Sequence, residues 1–403
     1  MHDGHPELVR AIADEITRSG PIPFARFMEL ALYHPQYGYY MRASDGPGVE
    51  RIGWSGDYYT SADVHPFLAR ALARQVHQVD DLLGHPDPFT VVEMGPGKGL
   101  LARDFLAASQ TASPSFFTRL RYVLMERSPA MRASQYAQLA PWAGEPGRIA
   151  WLDSLDELPA ESVIGAFMSN ELVDALPVHR ITMEGGTVKE LYVDWQHARF
   201  CERRGPLSTP ALTHYLDRLA TCGITLPDGY TTEINLAALT WMKQVARALG
   251  RGVVITIDYG HTAQDLYGPE RRKGTLLCYH RQLTSEEPYR RVGEQDLTAH
   301  VDFSALATTG DEAGLQVTGF TNQMSFLIGL GVEQALDSLE PGSREFQAMV
   351  HLLRPEGMGR TFKVLIQHKG LEAPQLDGLR FKPFFGDILS QARGERPEAI
   401  GKS

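Results

Sequence analysis

The spacing of hydrophobic positions near the N-terminus is that of helices. Leu8, Ile12 and Ile16 recur every four residues, which places them on one face of an amphipathic helix. Further helices are predicted over residues 24–33 and 64–83. We therefore expect the N-terminal part of the chain to form a helical cap.

From residue 90 onward, short apolar runs alternate with helical stretches. Runs of this length are typical of strands that are buried on both faces, and their alternation with helices predicts a parallel sheet. We therefore expect an α/β fold with a doubly wound, mostly parallel sheet of seven strands. The runs cover residues 91–94, 121–125, 148–152, 163–169, 252–257, 315–320 and 362–368.

An interruption follows the fourth of these runs. Residues 178–183, 188–195 and 199–203 alternate apolar and polar positions around turns such as Gly185-Gly186, and a helical stretch follows near residues 210–220. This pattern predicts an inserted antiparallel α+β subdomain. The expected parts of the chain are the cap (1–85), the α/β domain (86–177 and 236–370), the inserted subdomain (178–235) and a C-terminal tail (371–403).

The composition excludes several classes of protein. Of the 403 residues, 43% are hydrophobic and 22% are charged, which is typical of a globular protein. The formal net charge of −10 has the wrong sign for a general affinity for nucleic acid. The three cysteines form no CxxC pair and no histidine lies in an HExxH pattern, so no metal site is expected. No apolar run suits a membrane span and no signal peptide is evident, so a cytoplasmic location is predicted.

The segment VVEMGPGKGL, residues 91–100, joins a predicted strand to a predicted helix through a glycine-rich turn. A phosphate-binding P-loop needs Ser or Thr after the lysine, but Gly99 follows Lys98. A dinucleotide fingerprint needs Gly or Ala where this chain has Leu100. The pattern is instead E-x-G-x-G-x-G, with Gly95, Pro96, Gly97 and Gly99 as candidate cofactor-binding residues.

The acid before the glycine turn points to the chemistry of the ligand. Glu93 would repel a pyrophosphate, whereas it attracts the sulfonium and ammonium groups of S-adenosylmethionine, directly or through water. Glu126 ends the next strand, where a carboxylate can accept hydrogen bonds from both ribose hydroxyls, although dinucleotide enzymes use a similar acid. Asp153 ends the third strand and is a candidate for the adenine amino group. The alternative for all three is a solvated acid at a strand end.

A second polar group follows the fourth strand, in SNELVDALP, residues 169–177. Ligands bind at the carboxyl ends of strands in open α/β sheets, so Asn170 and Glu171 would face the methyl group of the cofactor. Glu171 is our candidate for orienting the methyl acceptor. Asp174 is a weaker candidate, since it can also cap the next helix.

The chain resembles the MidA-type class I methyltransferases, whose mitochondrial members are arginine methyltransferases that assist the assembly of respiratory complex I. The resemblance spans about residues 7–370. It lies in the segments GPIPFARFMELALYHPQYGYY (20–40), GDYYTS (56–61), EMGPGKG (93–99), NELVDALPVHR (170–180), IDYGH (257–261) and GEQDLTAHVDF (293–303).

The resemblance implies an S-adenosylmethionine-dependent methyltransferase whose N-terminal cap covers the cofactor. The residues expected over the cofactor are Asp57, Tyr59, Thr60 and Ser61. The resemblance also suggests functional roles for Asp296 and His300, as orienting groups or proton acceptors.

Three functions remain open at this point. The first is methylation of arginine in a protein substrate such as a respiratory complex subunit. The second is methylation of a small molecule or a peptide. The third is a cofactor-binding assembly factor without turnover. In each case the chain is expected to have no nucleic-acid partner and no membrane span, and its oligomeric state is not predicted.

Overall fold

A computed structural model describes residues 4–42, 53, 56–57, 65–354, 358–381 and 388–389 of the chain. Its helices are α1 (Pro6–Ser19), α2 (Phe24–Tyr33), α3 (Phe67–Leu83), α4 (Leu100–Ala112), α5 (Pro114–Arg119), α6 (Pro129–Gln138), α7 (Ala140–Ala143), α8 (Pro210–Thr221), α9 (Leu236–Ala248), α10 (Ala263–Leu266), α11 (Phe303–Glu312), α12 (Gln323–Gly329), α13 (Val332–Asp337), α14 (Arg344–Leu353) and α15 (Met358–Thr361). Its strands are β1 (Ile22–Pro23), β2 (Phe89–Met94), β3 (Leu120–Met125), β4 (Ile149–Leu152), β5 (Val163–Asn170), β6 (His179–Glu184), β7 (Thr187–Gln196), β8 (Arg199–Gly205), β9 (Thr231–Ile234), β10 (Leu249–His261), β11 (Leu277–His280), β12 (Leu283–Ser285), β13 (Asp296–Thr298), β14 (Val301–Asp302), β15 (Gln316–Asn322) and β16 (Phe362–Lys369). Within these ranges, no helix is both long and apolar enough to cross a membrane.

The largest sheet is mixed and contains eight strands. Its main run has the order β15-β16-β10-β5-β2-β3-β4, and β14 pairs with β10 beside that run. The strands β4, β3, β2, β5 and β10 are parallel to one another, whereas β16 is antiparallel to both β10 and β15. The carboxyl ends of the five parallel strands therefore meet at one edge of the sheet.

Helices cover both faces of this sheet. Val91 points into an apolar cluster that includes residues of α3 and α4, and the next residue, Val92, points into a cluster with residues of α9 and α11. Successive side chains of a strand face opposite sides, so a strand that is covered twice needs apolar residues at every position. This explains why the strands appear in the sequence as continuous apolar runs.

The N-terminal segment and residues 178–235 share a second sheet. β1 pairs antiparallel with β7, which also pairs with β6 and β8, and β9 pairs with β6. Phe27 of α2, Val193 of β7 and Leu297 of β13 belong to one buried apolar cluster. The small sheet β12-β11-β13 therefore packs with the N-terminal helices.

The prediction of an α/β fold is confirmed as a mixed sheet with helices around it, and each predicted strand overlaps an observed one. The finer prediction of a doubly wound, mostly parallel sheet of seven strands stays a prediction. The boundaries of the predicted domains stay predictions. Two contacts join parts of the chain that are predicted as separate domains. Helix α3 belongs to the predicted cap but packs on the large sheet, and β1 of the cap pairs with β7 of the predicted insertion.

Candidate active site

A cavity of about 750 Å³ lies at the carboxyl edge of the large sheet. Its volume is within the range of small-molecule sites, and this edge is where ligands bind in open α/β sheets. The walls come from the glycine turn, the ends of β3, β4 and β5, and the helices α2 and α9. The predicted site residues that line it are Glu93, Gly95, Pro96, Gly97, Glu126, Asp153, Asn170 and Glu171.

The glycine turn after β2 has left-handed backbone angles at three positions. The φ angles are 68° at Gly95, 51° at Gly97 and 83° at Gly99, a region that glycine enters without steric cost. A Cβ atom on Gly95 would lie 2.9 Å from Leu172 Cδ1, so glycine also allows close packing there. Gly99 precedes α4 and does not line the cavity.

Glu93 is buried at the end of β2 and is only 4% exposed. Its carboxylate accepts a hydrogen bond of 2.7 Å from the hydroxyl of Tyr122. Burial, with the nearby charge of Glu126, raises the pKa of Glu93 to about 7. Burial makes the ionised form of Glu93 unfavourable without a positive partner. A cation in the cavity would therefore stabilise that form.

Glu126 follows β3 and lines the next part of the wall. The Ser128 N–H donates to Oε1 at 2.7 Å and the Gln135 side-chain amide donates to Oε2 at 3.2 Å. Burial raises the pKa of this carboxyl group above its ordinary value. Because a carboxylate has roughly four acceptor positions, both oxygens can still accept from a ligand hydroxyl.

Asp153 lies at the end of β4, on the more open side of the cavity. Its side chain is 73% exposed and accepts a hydrogen bond of 2.6 Å from Arg132. This ion pair holds the carboxylate close to Glu126, because Arg132 also donates to the Glu126 backbone oxygen at 2.8 Å.

Asn170 and Glu171 end β5, and Glu171 has a φ angle of 55°, which is unusual for a residue with a side chain. The Glu171 N–H donates to Ile257 O at 3.0 Å, and the Asn170 amide donates to Glu171 Oε1 at 3.1 Å. The Oδ1 atom of Asn170 is buried and has no hydrogen-bond partner within the described residues. Unpaired buried acceptors are costly, so this atom suits a ligand N–H.

The turn after Glu171 is held by a buried carboxylate. Asp258 Oδ2 accepts from the backbone N–H groups of Leu172, Val173 and Asp174 at 3.2, 2.8 and 3.4 Å. Its other oxygen accepts from the Tyr259 N–H at 2.9 Å. These bonds fix the direction in which Glu171 leaves the strand.

Asp174 and Asp296 are buried near the cavity but do not line it. Asp174 accepts a hydrogen bond from the Tyr259 hydroxyl, and burial raises its pKa to about 6. Asp296 accepts from the Tyr40 hydroxyl at 2.7 Å, and burial raises its pKa to about 7. Because Tyr40 does line the cavity, Asp296 is one hydrogen bond away from it.

Two other predicted site residues lie away from the cavity walls. His300 hydrogen-bonds to His261 at 3.1 Å and packs against the Tyr259 ring, and burial lowers its pKa to about 4. Asp57 accepts from the Tyr39 hydroxyl at 2.9 Å and from the Arg281 N–H at 2.6 Å. The remaining cap residues Tyr59, Thr60 and Ser61 lie outside the described residues.

Several residues of the cavity wall are not identified from the sequence. Arg26 and Glu29 of α2 line it, beside Tyr33 of the same helix, as do Trp241 of α9 and His179 of β6. A signal for α2 does exist, because spacings of three and four residues place 26, 29 and 33 on one helix face. Nothing local in the sequence indicates that this face meets the strand ends.

Comparison with known proteins identifies the family. Residues 71–321 match the family described as S-adenosyl-L-methionine-dependent methyltransferase. The chain belongs to this family. A crystal structure from Burkholderia thailandensis, bound to S-adenosyl-homocysteine, is 32% identical, with a TM-score of 0.83 over 94% of this chain and 95% of that chain. The protein is therefore an S-adenosylmethionine-dependent methyltransferase.

Curated relatives extend over most of the chain. One is named protein arginine methyltransferase NDUFAF7 homolog, mitochondrial, from Drosophila melanogaster, and is 27% identical over 93% of this chain and 87% of its own length. The human protein arginine methyltransferase NDUFAF7, mitochondrial, is 27% identical over 94% of this chain and 88% of its own length. Because these relatives are named mitochondrial, the prediction of a cytoplasmic location is wrong. A test for a secretory signal peptide does not distinguish the cytoplasm from other compartments.

The described residues suit S-adenosylmethionine chemically. Glu93, when ionised, can pair with its cationic end, and Asn170 has a buried oxygen without a hydrogen-bond donor among the described residues. Glu126 can accept from hydroxyl groups.

Proposed function

We propose that the protein methylates an arginine side chain of a protein substrate. The observation that supports this most is a group of buried carboxylates beside the cavity that lack a cationic partner. Asp174, Asp258 and Asp296 receive hydrogen bonds from tyrosine hydroxyls and backbone N–H groups. No Lys, Arg or His side chain within the described part of the chain forms an ion pair with any of them. These buried acids favour a cation in the cavity, and a guanidinium is the cation that a carboxylate at the cavity wall, such as Glu171, binds best in a planar geometry.

Two of these carboxylates, Asp174 and Asp296, act together with Glu171 on one tyrosine, Tyr279. Burial raises the pKa of Tyr279 above its ordinary value, and the charges of Asp174, Asp296 and Glu171 raise it further. Three acids that act on one phenol lie close together. Of these, Glu171 lines the cavity, so we assign it the role of binding and orienting the acceptor.

We assign the opposite side of the cavity to the cofactor. Glu93 and Asn170 would hold its cationic end, Glu126 the ribose, and Asp153 the adenine. S-adenosylmethionine supplies a methyl group on a sulfonium, which is already a good leaving group. The protein therefore has to position the acceptor, and positioning can contribute about 7–11 kcal/mol to a reaction between two bound groups.

We further propose the finer architecture that the sequence predicts. The sheet with the main run β15-β16-β10-β5-β2-β3-β4 is assigned as the doubly wound cofactor-binding domain of a class I methyltransferase. The inserted segment 178–235 and the N-terminal helices are assigned to the acceptor side, since His179 and the α2 face line the cavity there. The predicted covering roles of Asp57, Tyr59, Thr60 and Ser61 stay part of this proposal.

The acceptor protein is proposed to be a respiratory complex subunit, which follows from the resemblance noted in the sequence. Two alternatives are tested beside it. One is a small-molecule or peptide acceptor, and the other is an assembly factor that binds the cofactor without turnover.

The experiment is a transfer assay with methyl-labelled S-adenosylmethionine and a lysate of cells that lack the protein. We expect label in one protein band and methylarginine after hydrolysis of that band. Label in the small-molecule fraction would favour the second function. Binding of S-adenosylmethionine in calorimetry without any label in the lysate would favour the third.

The affinity for S-adenosylmethionine is expected to fall as the pH falls through about 7. A bound cation favours the ionised form of Glu93, so its pKa is lower in the complex than the value of about 7 in the free protein. Binding then releases a proton, and the affinity decreases by up to about tenfold for each pH unit below that value. Calorimetry between about pH 5.5 and 7.5 measures this slope.

The matched control is Glu93→Gln, which keeps a partner for the Tyr122 hydroxyl but cannot ionise. We expect its affinity at the upper pH to be lower and its slope to be nearly flat. An unchanged slope in this variant would assign the pH dependence to another group.

A further inference from the structure

Tyr40 connects the cavity to a buried carboxylate. Tyr40 lines the cavity, and its hydroxyl donates to Asp296 Oδ1 at 2.7 Å. Asp296 is 2% exposed, so the carboxylate itself does not meet solvent or a ligand directly. The phenol is therefore the group through which a molecule in the cavity can exchange a proton with Asp296.

The surrounding contacts hold Tyr40 in this position. Its ring stacks on Tyr33, with centroids 5.5 Å apart, and the Tyr33 hydroxyl donates to Ala175 O at 3.0 Å. Asp296 Oδ1 also accepts from its neighbour, the Leu297 N–H, at 2.9 Å. Both ends of the Tyr40–Asp296 hydrogen bond are fixed by packing rather than by solvent.

Acids and phenols act on Asp296. It has no ion pair within the described residues. The titratable groups that act on it or are affected by it are Tyr33, Tyr40, Asp57, Asp174, Cys278 and Tyr279. Burial raises the pKa of Asp296, and the charges of Asp174 and Asp57 raise it further, so a proton on Asp296 removes charge repulsion and the residue is suited to receive one.

We infer that Tyr40 and Asp296 form the route by which the acceptor nitrogen loses its proton during methyl transfer. Tyr40 is the catalytic residue, since it meets the acceptor in the cavity, and Asp296 acts through it. This inference rests on the proposed function, because it requires an acceptor nitrogen that carries a proton which must leave.

The step balances in atoms and charge. The acceptor nitrogen forms a bond to the methyl carbon, and the electron pair of the carbon–sulfur bond stays on sulfur, which becomes a neutral thioether. The nitrogen proton moves to the Tyr40 oxygen while the Tyr40 proton moves to Asp296. The guanidinium keeps its positive charge after methylation, and the charge lost at sulfur equals the negative charge lost at Asp296.

The route explains how a group with a pKa above about 12 can react near neutral pH. Removing the proton before the reaction would be costly, whereas removing it as the new bond forms is general base catalysis. Such catalysis contributes about 10²- to 10⁴-fold to a rate.

The test compares Tyr40→Phe, Asp296→Asn and the double variant with the wild-type protein. Single-turnover rates are measured with labelled S-adenosylmethionine and the acceptor found in the lysate assay. We expect each single variant to lower the rate by about 10²-fold. The double variant should be no slower than the slower single variant, since the two residues act as one unit. The dissociation constant of S-adenosylmethionine and the KM of the acceptor should change less than about threefold, because Tyr40→Phe keeps the ring and Asp296→Asn keeps the side-chain volume.

The matched control is Tyr37→Phe, which removes a phenol hydroxyl from the same segment of the chain. Tyr37 stacks on His5 and His34 and does not line the cavity, so its variant should retain the wild-type rate. Thermal unfolding and cofactor binding establish that each variant is folded. Asp296→Glu is a second variant, and partial recovery of the rate would support the proton role.

Two outcomes overturn the inference. One is a wild-type rate in Tyr40→Phe, and the other is a double variant whose loss equals the product of the two single losses. Both are distinct from failure of the proposed function, which would appear as a wild-type protein that transfers no methyl group to any guanidinium acceptor.

Discussion

Glu171→Gln is expected to lower the rate of methyl transfer by about 10²- to 10³-fold, with little change in the affinity for S-adenosylmethionine. The substitution keeps the size of the side chain and can keep a hydrogen bond with Asn170, which now lies 3.1 Å from Glu171 Oε1. It removes the negative charge that would hold a guanidinium in the direction of the methyl group. The loss should therefore appear in kcat rather than in cofactor binding.

The left-handed backbone of Glu171 supports this expectation. A residue with a side chain at φ 55° is strained, and such strain persists where the surrounding structure imposes it. Here the bond from the Glu171 N–H to Ile257 O and the bonds from the following turn to Asp258 impose it. Strain of this kind is common at functional sites, where it aims a side chain.

Labelled transfer under single-turnover conditions and calorimetry with S-adenosylmethionine measure the two quantities. Glu184→Gln is the control for lost charge, because Glu184 lies in a hairpin away from the cavity and pairs with the exposed Arg204. It should behave as the wild type. A wild-type turnover rate in Glu171→Gln would contradict the assignment of Glu171 to the acceptor site.

Glu126→Ala is expected to weaken the binding of S-adenosylmethionine by about 10- to 100-fold. A hydrogen bond to a charged group contributes about 1.5–3 kcal/mol, and the substitution removes the acceptor of the ribose hydroxyls. It also leaves the Ser128 N–H and the Gln135 amide without their present partner. Because these two donors lack their partner with and without ligand, this second effect lowers the stability of the protein rather than its affinity, and thermal unfolding measures it.

Calorimetry with S-adenosylmethionine and with S-adenosyl-homocysteine measures this loss. Both ligands carry the ribose, so both should lose affinity by a similar factor, which separates the role of Glu126 from any effect at the sulfonium. Glu126→Gln keeps one acceptor oxygen and should lose less. Glu7→Ala, at an exposed residue of α1, is the control and should bind the ligands like the wild type. Unchanged affinity in Glu126→Ala would show that other residues bind the ribose.

The cofactor side of the cavity shows why part of the site can be predicted from the sequence. Glu93, Glu126, Asp153 and Asn170 each end or follow a strand that the hydrophobic pattern had located. Parallel strands bring their carboxyl ends to one edge, so the positions of these residues in the chain imply their proximity. To predict that these residues lie close together, only the order and direction of the strands are needed.

The residue contacts on the acceptor side of the cavity cannot be predicted in this way. Tyr40 and Asp296 are 256 positions apart, and their hydrogen bond depends on how the N-terminal segment packs on the small sheet. Asp174 and Asp296 were candidates from motifs, but the sequence did not indicate that each lies behind a tyrosine. His300 illustrates the limit, since its motif drew attention to it while packing directs it toward His261.

The sequence by itself determined the α/β class, the positions of the strands, the glycine turn and the acids at the strand ends. These features follow from local periodicity and from the chemistry of a cationic cofactor. Only the tertiary structure decided which helix face closes the cavity, which carboxylates meet it and which lie one hydrogen bond behind it. Those relations depend on side-chain packing between segments far apart in the chain, and no local sequence pattern predicts them.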